Sequence, residues 1–135
     1  MKLTRENAIL HAKTTTDLTG AVGCLANVSN TNVASEWDPD GDPPAYLIIH
    51  AETDSVSVVP LHGGLAGTVK VKLLEAVSVG HELYFAIQGQ NKGFVDRIEE
   101  TVPGSFFICA LALEAGVAGE MVEAVLFRPE AVTIA

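Results

Sequence analysis

Aromatic and charged side chains are scarce in this sequence of 135 residues, in which Phe, Trp and Tyr make up 6% and Asp, Glu, Lys and Arg 19%. Because 48% of the residues are apolar, the composition is that of a folded globular chain and not of a disordered one. The core must be built mainly from Val, Leu, Ile and Ala. No apolar run approaches the roughly 20 residues of a membrane-spanning helix. No continuous apolar region of the kind found in signal peptides follows Met1–Asn7, so we expect neither a signal peptide nor a membrane partner.

Basic residues are also few, since 8 Lys and Arg stand against 17 Asp and Glu, giving a net charge of −9. A surface this acidic repels phosphate backbones and no basic cluster offsets it, so direct nucleic-acid binding is not expected. The two cysteines, Cys24 and Cys109, occur in no paired motif. Cys109 lies in an apolar run, which predicts a buried free thiol, and nothing demands an oxidising compartment.

Metal-binding patterns are missing as well. The acidic run Asp38, Asp40 and Asp42 is similar to the start of a calcium loop. An EF-hand loop would need Gly at its sixth position and Glu at its twelfth, where this chain has Pro43 and Ile49. A solvated acidic turn is therefore favoured over an incidental Ca²⁺ site. Four histidines show no metal-ligand spacing; they are His11, His50, His62 and His81.

Catalytic and cofactor-binding motifs are equally absent from the sequence. The segment Gly63–Gly67 is rich in glycine but lacks the Lys-Ser/Thr ending of a phosphate-binding loop. No Ser lies in a Gly-x-Ser-x-Gly elbow. Glu99 and Glu100 are adjacent acids in a polar segment, where solvated charge is the usual role. We therefore predict a protein that is not an enzyme and needs no cofactor or metal.

The first 44 residues differ in composition from the rest. Their apolar residues are thinly spread without a sustained period, and they end in a Pro-rich stretch at 39–44. We predict an extended, partly irregular N-terminal arm over residues 1–44 and a compact β domain over residues 45–135. A chain without residues 1–36 is accordingly expected to keep its body folded.

The remaining sequence has the pattern of short strands bounded by Gly or Pro. Segment 68–73 alternates between apolar and polar residues as a half-buried strand does. Short strands in quick succession predict an all-β or β-dominated fold, a small β-sandwich or barrel-like meander. A helix over Leu73–Val79 is the alternative, disfavoured by Val77 and Val79. The predicted strands are Tyr46–Ala51, Ser55–Val59, Thr68–Leu73, Glu82–Ile87, Phe106–Leu113 and Val122–Phe127.

Three glycines, Gly67, Gly80 and Gly119, each stand just before an alternating segment. Glycine at the entry to a strand is typical of a tight turn that needs a positive φ. Their recurrence indicates a repetitive β meander.

The C-terminal half contains, in order, Val79–Phe85 (VGHELYF), a polar stretch at 88–93, and Ala110–Leu126 (ALALEAGVAGEMVEAVL). This order resembles the small capsid decoration proteins of tailed phages, also called head-stabilising or cement proteins. In that family a V-x-x-G-D-x-L-Y segment precedes a G-x-A-L-E-A-A-x-x-G-x-x-V-x-V segment. The resemblance covers about residues 65 to 127. Two positions depart from the pattern, because His81 stands in place of Asp, and Phe107 or Ile108 stands near an expected Gly.

The resemblance implies a compact β domain on the outside of an expanded capsid, which stabilises the lattice by binding it and performs no chemistry. The implied partners are the major capsid protein and further copies of this chain, in a homo-oligomer with a trimer favoured. The implied location is the capsid exterior of the virion, after synthesis in the host cytoplasm.

Ile9, Leu10 and Trp37 are the candidate contact residues of the arm, for the capsid or for another subunit, because aliphatic and aromatic side chains carry interface energy. The arm would order on docking and add a strand to a sheet edge of the capsid protein. Packing of these side chains against the protein's own body is the alternative.

Two other functions stay open from the sequence. The chain could be a different phage structural component, such as a tail or fibre-base adaptor. It could also be a small ligand- or carbohydrate-binding β domain, although so few aromatic residues make an aromatic platform hard to build.

Overall fold

The computed structural model of the chain describes residues 9–38, 42–61, 68–88, 91–97 and 104–134. Strands dominate these residues, which confirms the predicted β-dominated fold. A 3₁₀ turn lies at Thr19–Ala21, and no helix of the described residues is long and apolar enough to cross a membrane. The strands are β1 (Leu10–Thr14), β2 (Leu25–Val28), β3 (Val33–Glu36), β4 (Tyr46–Ala51), β5 (Ser55–Pro60), β6 (Val69–Lys72), β7 (Glu82–Gln88), β8 (Asn91–Asp96), β9 (Gly104–Ala112) and β10 (Met121–Ile134).

Strands β1 to β5 close into a small barrel in the order β1-β3-β2-β4-β5. β1 pairs in parallel with β3 and antiparallel with β5, so the first and last strands complete the ring. Aliphatic side chains of its two longest strands, β4 and β5, are buried. Leu47, Ile48, Val56 and Val58 are each no more than 2% exposed.

The turn between β2 and β3 is built by polar side chains. Asn32 adopts a φ of 64°, a left-handed conformation that Asn tolerates better than most residues. Its side-chain amide donates to the carbonyl of His11 in β1 over 3.1 Å. The Ser29 hydroxyl accepts the backbone N–H of Val33 over 3.2 Å. These bonds hold the turn against the neighbouring strand of the barrel.

The structure differs from the predicted division of the chain at residue 44. Strands β1, β2 and β3 fall inside the predicted arm, yet they form the barrel together with β4 and β5. Leu18, Cys24 and Leu25 from this part are buried, with 3%, 2% and 1% of their surface exposed. Residues 10–36 therefore belong to the folded body, while residues 1–8 lie outside the described residues.

Strands β6 to β10 form a second sheet in the order β6-β10-β9-β7-β8, with antiparallel neighbours throughout. Its edges approach each other, because Leu73 forms a parallel bridge with Phe94 of β8. The Leu74 N–H donates to the Phe94 carbonyl over 3.0 Å. Gly93 permits this crossing, since a Cβ there would lie 2.6 Å from the Leu74 nitrogen.

All six strands predicted from the sequence are present, and Tyr46–Ala51 has the predicted bounds. Strand β10 is longer than predicted, because it continues through a register shift between Leu126 and Glu130 as far as Ile134. The polar stretch at 88–93 spans the end of β7 and the start of β8, with residues 89 and 90 outside the described part. The segment Leu73–Val79 contains no helix.

One apolar core runs through both sheets. Trp37, which follows β3, packs edge-on against Phe85 of β7 and Phe107 of β9, with ring centroids 6.1 and 6.3 Å apart. Its indole N–H donates to the Asp42 carbonyl over 2.8 Å. Aromatic pairs of this geometry contribute about 0.5–1.5 kcal/mol beyond the area they bury. Trp37 therefore joins the barrel to the second sheet.

Gly23 brings the barrel backbone directly against β6. It has a φ of 87°, and a Cβ there would lie 2.7 Å from the backbone nitrogen of Lys72. The Gly23 carbonyl accepts the Lys72 N–H over 3.1 Å, and the Gly23 N–H donates to the Ile48 carbonyl over 2.8 Å. Only glycine combines this φ with so close an approach.

Candidate docking surface

The centre of the second sheet is a two-stranded ribbon formed by residues 69–83 and 110–124. β6 pairs with β10 at one end and β7 pairs with β9 at the other. Midway, Val77 and Gly116 exchange both backbone hydrogen bonds, at 3.0 and 3.3 Å. The two segments therefore run antiparallel along their whole length, even where they leave regular strand geometry.

The two segments of the ribbon are related by a short internal repeat. Leu74–Gly80 reads LEAVSVG and Leu113–Gly119 reads LEAGVAG. Both glycines have positive φ, 82° at Gly80 and 89° at Gly119, as predicted for strand-entry turns. The third predicted turn glycine, Gly67, lies outside the described residues. The glycines were predictable from the sequence, and the Leu-Glu-Ala motif that precedes each of them is a signal in the same sequence that could have linked the two turns.

Equivalent hydrogen bonds support the repeat. The Gly80 N–H donates to the Ala112 carbonyl over 2.8 Å, and the Gly119 N–H donates to the Leu73 carbonyl over 2.9 Å. Leu73 and Ala112 are themselves equivalent, since each precedes the Leu-Glu-Ala motif. The ribbon therefore has an approximate twofold symmetry about the pair of Val77 and Gly116.

The middle of the ribbon is anchored to the core on one side. Val77 is 5% exposed. Gly116 lies so close to the core that a Cβ there would come within 2.6 Å of Cγ1 of Val122 and 2.9 Å of Cδ1 of Leu73. The backbone of both loops is thus held rigidly, which fixes the side chains that point the other way.

Those outward side chains are apolar. Val79 and Val117, in the two turns, are 59% and 58% exposed, and Leu113, Met121 and Val125 are 36–41% exposed. We call these five residues the apolar patch. They account for all but one of the large apolar side chains that are exposed in the described part of the chain. Exposed apolar groups concentrated in one region are typical of an interaction surface.

The members of the apolar patch lie on neighbouring backbone. The Leu113 N–H donates to the carbonyl of Glu123 over 2.9 Å, two residues before Val125 on β10. Val79 precedes Gly80, whose N–H binds the residue before Leu113. Val117 follows the residue that pairs with Val77. The patch therefore extends from β10 across both turns.

Three glutamates, Glu75, Glu114 and Glu120, lie in the two loops of the ribbon and are exposed. Glu114 accepts the backbone N–H of Glu123 over 2.7 Å, and Glu120 accepts that of Val117 over 2.8 Å. Glu75 accepts a 3.3 Å bond from the side-chain amide of Gln88. None of the three is in an ion pair within the described residues. Lys70 and Lys72, in β6 of the same ribbon, are likewise in no ion pair within the described residues, so unpaired charges of both signs lie along it.

The candidate contact residues from the sequence occupy different environments. Ile9 is 44% exposed just before β1, whereas Leu10 is half-buried in β1 and packs against the core. Trp37 is 6% exposed and lies between the two sheets. The structure does not bring the three together on one surface. Leu10 and Trp37 instead take the alternative that the sequence left open, packing against their own body.

The histidines in the described part have single, local partners. Nδ1 of His81 lies 2.6 Å from Oδ2 of the buried Asp96, where imidazole must be the donor because a carboxylate only accepts. Nδ1 of His11 lies 2.8 Å from the Ser57 hydroxyl. Within the described residues no three His, Cys, Asp or Glu side chains are grouped to hold a metal ion.

A cleft of about 600 Å³ separates the barrel from the ribbon. Lys92 of β8 and Glu36 of β3 form an ion pair among its lining residues, and Lys72 also borders it. Cys24 lies in the same lining, and burial raises the pKa of its thiol to about 11. A thiol with such a pKa is protonated near neutral pH and is a poor nucleophile.

Comparisons with known proteins do not identify a family for this chain. The sequence matches no protein-family model, and it matches no curated protein. The apolar patch is the feature of the described residues that most directly indicates a function, because it concentrates nearly all of their exposed large apolar side chains.

Proposed function

We propose that this chain is a structural virion protein that binds the exterior of an assembled phage capsid through the apolar patch and stabilises the shell without catalysis. The major capsid protein is its partner, and the chain acts as a homo-oligomer, with a trimer favoured. The observation that carries the proposal is the apolar patch, which lies within residues 79–125. That range falls inside the part of the sequence that resembles the decoration proteins.

Preferential binding to the assembled capsid lattice is the physical basis of the proposed stabilisation. A protein that binds the assembled shell and not its dissociated subunits stabilises the shell by mass action. The loops that carry Val79 and Val117 are held by backbone hydrogen bonds on both sides. A preformed surface loses little conformational entropy on docking, so more of the contact energy remains as affinity.

The proposed contact surface replaces the one expected from the sequence. Trp37 is buried between the sheets and does not reach a partner in this fold. Ile9 keeps an exposed side chain and remains a competing contact. The apolar patch is favoured because five side chains contribute to it and Ile9 stands alone.

An aromatic platform for carbohydrate receives no support from the described residues. Four of their aromatic residues, Trp37, Tyr84, Phe85 and Phe94, are buried in the two apolar clusters. The alternative as a tail or fibre-base adaptor would use the same apolar patch and is separated from the proposal by the experiment below.

Co-sedimentation of the purified chain with capsids of the source virus tests the proposal. We expect saturable binding to expanded shells and little binding to compact precursor shells. The double variant Val79→Asp/Val117→Asp should weaken binding by more than about tenfold, because charge at a central apolar contact removes hot-spot energy. Thermal unfolding of the variant checks that its fold is kept.

Ile9→Asp is the matched control, since Ile9 is also an exposed aliphatic residue but lies outside the apolar patch. It should leave capsid binding unchanged. Loss of binding with Ile9→Asp alone would return the contact to the N-terminal segment. No binding of the unaltered chain to either shell would reject the decoration function and bring the tail-component function forward.

A further inference from the structure

The cleft between the barrel and the ribbon is continuous with the apolar patch. Gly119 lines the cleft and lies two residues after Val117 of the patch. On the other side, Cε and Sδ of Met121 lie over Gly23, 2.8 and 2.9 Å from the position that a Cβ would take there. Cys24, the next residue, also lines the cleft. A partner that covers Val117 and Met121 therefore lies next to the cleft.

Lys72 links the patch to the cleft. It stands opposite Met121 in the β6–β10 register, and residues paired in this way project from the same face of a sheet with Cβ atoms about 4.5–5.5 Å apart. Lys72 is half-buried and also lines the cleft. Its backbone N–H donates to the Gly23 carbonyl over 3.1 Å, which fixes its place beside the barrel. One side chain thus borders both features.

The acidic groups that line the cleft are engaged elsewhere. Glu36 forms its ion pair with Lys92, and the carboxylate of Asp17 accepts the backbone N–H of Thr19 over 2.9 Å. Lys72 is in no ion pair within the described residues. A lysine beside an apolar surface and without an acidic partner is a place where an incoming carboxylate can form a charge-assisted hydrogen bond.

The charge of Lys72 acts inside the cleft. Burial raises the pKa of the Cys24 thiol, and among the charges near this thiol that of Lys72 has the largest effect, lowering the pKa. The cleft is otherwise suited to a peptide, because Leu18 and Leu73 give it an apolar wall and Asn91 adds an amide that can donate and accept. Its volume of about 600 Å³ lies within the range of roughly 300–1,000 Å³ of pockets that hold ligands.

We infer that the cleft is the second half of the docking surface and takes a short segment of the capsid protein, in which the carboxylate of an Asp or Glu binds the ammonium group of Lys72. This inference rests on the proposed function and names the residue of this chain that makes the contact specific. Apolar contact at the patch supplies the affinity, while the ion pair beside it sets the register of the capsid segment.

Lys72→Met tests the inference on expanded shells. Methionine keeps most of the apolar stem and removes the charge, so β6 should pair as before. We expect the Kd to rise at least about tenfold, because the carboxylate of the capsid segment would lie beside an apolar surface without its counter-charge. Lys72→Glu should weaken binding further, since like charges repel. Thermal unfolding of both variants checks that the fold is kept.

Lys70→Met is the matched control. Lys70 lies on the same strand and the same face as Lys72, but it stands opposite Glu123 and is not among the described residues that line the cleft. Its variant should bind as the unaltered chain does. Equal weakening by the two methionine variants would assign the effect to surface charge in general and would contradict the inference.

The same binding curves separate this inference from the proposed function. Binding that is unchanged by Lys72→Met and by Lys72→Glu would overturn the inference while leaving the decoration function intact. Absence of capsid binding by the unaltered chain would overturn both.

Carbodiimide cross-linking provides a second measurement, since this reagent joins an amine to a carboxylate in direct contact without a spacer. On capsids decorated with the unaltered chain, we expect mass spectrometry to find Lys72 joined to an Asp or Glu of the major capsid protein, in higher yield than Lys70. A cross-link from Lys72 to a carboxylate of a second copy of this chain would instead place the homo-oligomer interface at the cleft, and this result would contradict the inference.

Discussion

Asp96, at the end of β8, is the one charged residue that the described part of the chain buries, with 2% of its surface exposed. A buried carboxylate without hydrogen bonds would cost several kcal/mol. His81 supplies one at 2.6 Å. The departure of residue 81 from the decoration-protein pattern therefore has an internal explanation, since it brings a donor to a buried acid.

The residue type of Trp37 does not by itself determine whether its side chain lies in the core or at an interface. Its size and aromatic character favour an interface role and a core role equally, and only the fold decides between them. Its partners Phe85 and Phe107 come from strands far along the chain. No local pattern in the sequence indicates those contacts, so the burial of Trp37 could not be predicted.

The two buried cysteines predict an alkaline loss of stability. Burial raises the pKa of Cys24 to about 11 and that of Cys109 to about 12, from 9.0. In the unfolded chain both thiols lose their protons near pH 9, while the folded chain retains them. The folded state thus binds more protons above pH 9, and the free energy of unfolding should fall as pH rises from 9 through 11.

Urea unfolding between pH 7 and pH 11 measures this effect. The double variant Cys24→Ala/Cys109→Ala should be less stable at pH 7, because it leaves small cavities, but its stability should decline less above pH 9. An alkaline decline equal to that of the unaltered chain would assign the pH dependence to other groups.

At the scale of elements, β4 to β7, β9 and β10 were predictable because runs of apolar, often β-branched residues mark them. The barrel strands β2 and β3 were missed because they are short and bury small residues, Ala26 and Ala34, where larger aliphatic residues would signal a strand. β8 was missed because Gly93 and Asp96 break its pattern. Gly93 permits the close crossing with Leu74, and Asp96 pairs with His81. Both contacts join residues that are distant in sequence.

The candidate docking surface was only partly predictable. The turns at Gly80 and Gly119 follow from the sequence, since the structure gives both glycines positive φ. Their pairing through Val77 and Gly116 does not follow, because it depends on which strands become neighbours. Consequently the exposed valines could not be recognised as one surface before the fold was known.

The ribbon predicts a specific sensitivity at Gly116. Gly116→Ala would place a methyl group 2.6 Å from Cγ1 of Val122. We expect a loss of about 1–3 kcal/mol in the free energy of unfolding, since overpacking forces side chains and backbone to shift. Chemical denaturation measures the loss, and capsid binding should weaken with it because the adjacent turn carries Val117.

Gly20→Ala is the matched control, because no atom lies within 4 Å of a Cβ built at Gly20 and its φ is not positive. It should be neutral or slightly stabilising, since Ala restricts the unfolded chain more than Gly. Equal effects of the two substitutions would contradict the close packing of the ribbon on the core.

At the scale of the whole molecule, the barrel and the second sheet share one core. Gly23 and Trp37 make the connection, the first through backbone contact with Lys72 and the second through aromatic packing. Neither part is complete without the other. The chain is thus better described as two joined sheets than as a body with an appended arm.

A chain without residues 1–36 should therefore fail to fold, in contrast to the expectation from sequence. It would lack three of the five barrel strands and expose the aliphatic faces of β4 and β5. We expect circular dichroism to show no cooperative thermal transition. A chain without residues 1–8 keeps every barrel strand and should retain a cooperative thermal transition. Cooperative unfolding of the shorter chain would contradict the shared core.

The antiparallel ribbon also sets an order for folding on the ribosome. All five barrel strands lie within residues 10–60, so they emerge together and early. β6 emerges next, but its strand partner is β10, which comes last among the strands of the described residues. Pairings between residues so distant in sequence form slowly, because a long loop must close first. During translation we therefore expect β6 to wait for its strand partner, and the docking surface is completed only after β10 has left the ribosome.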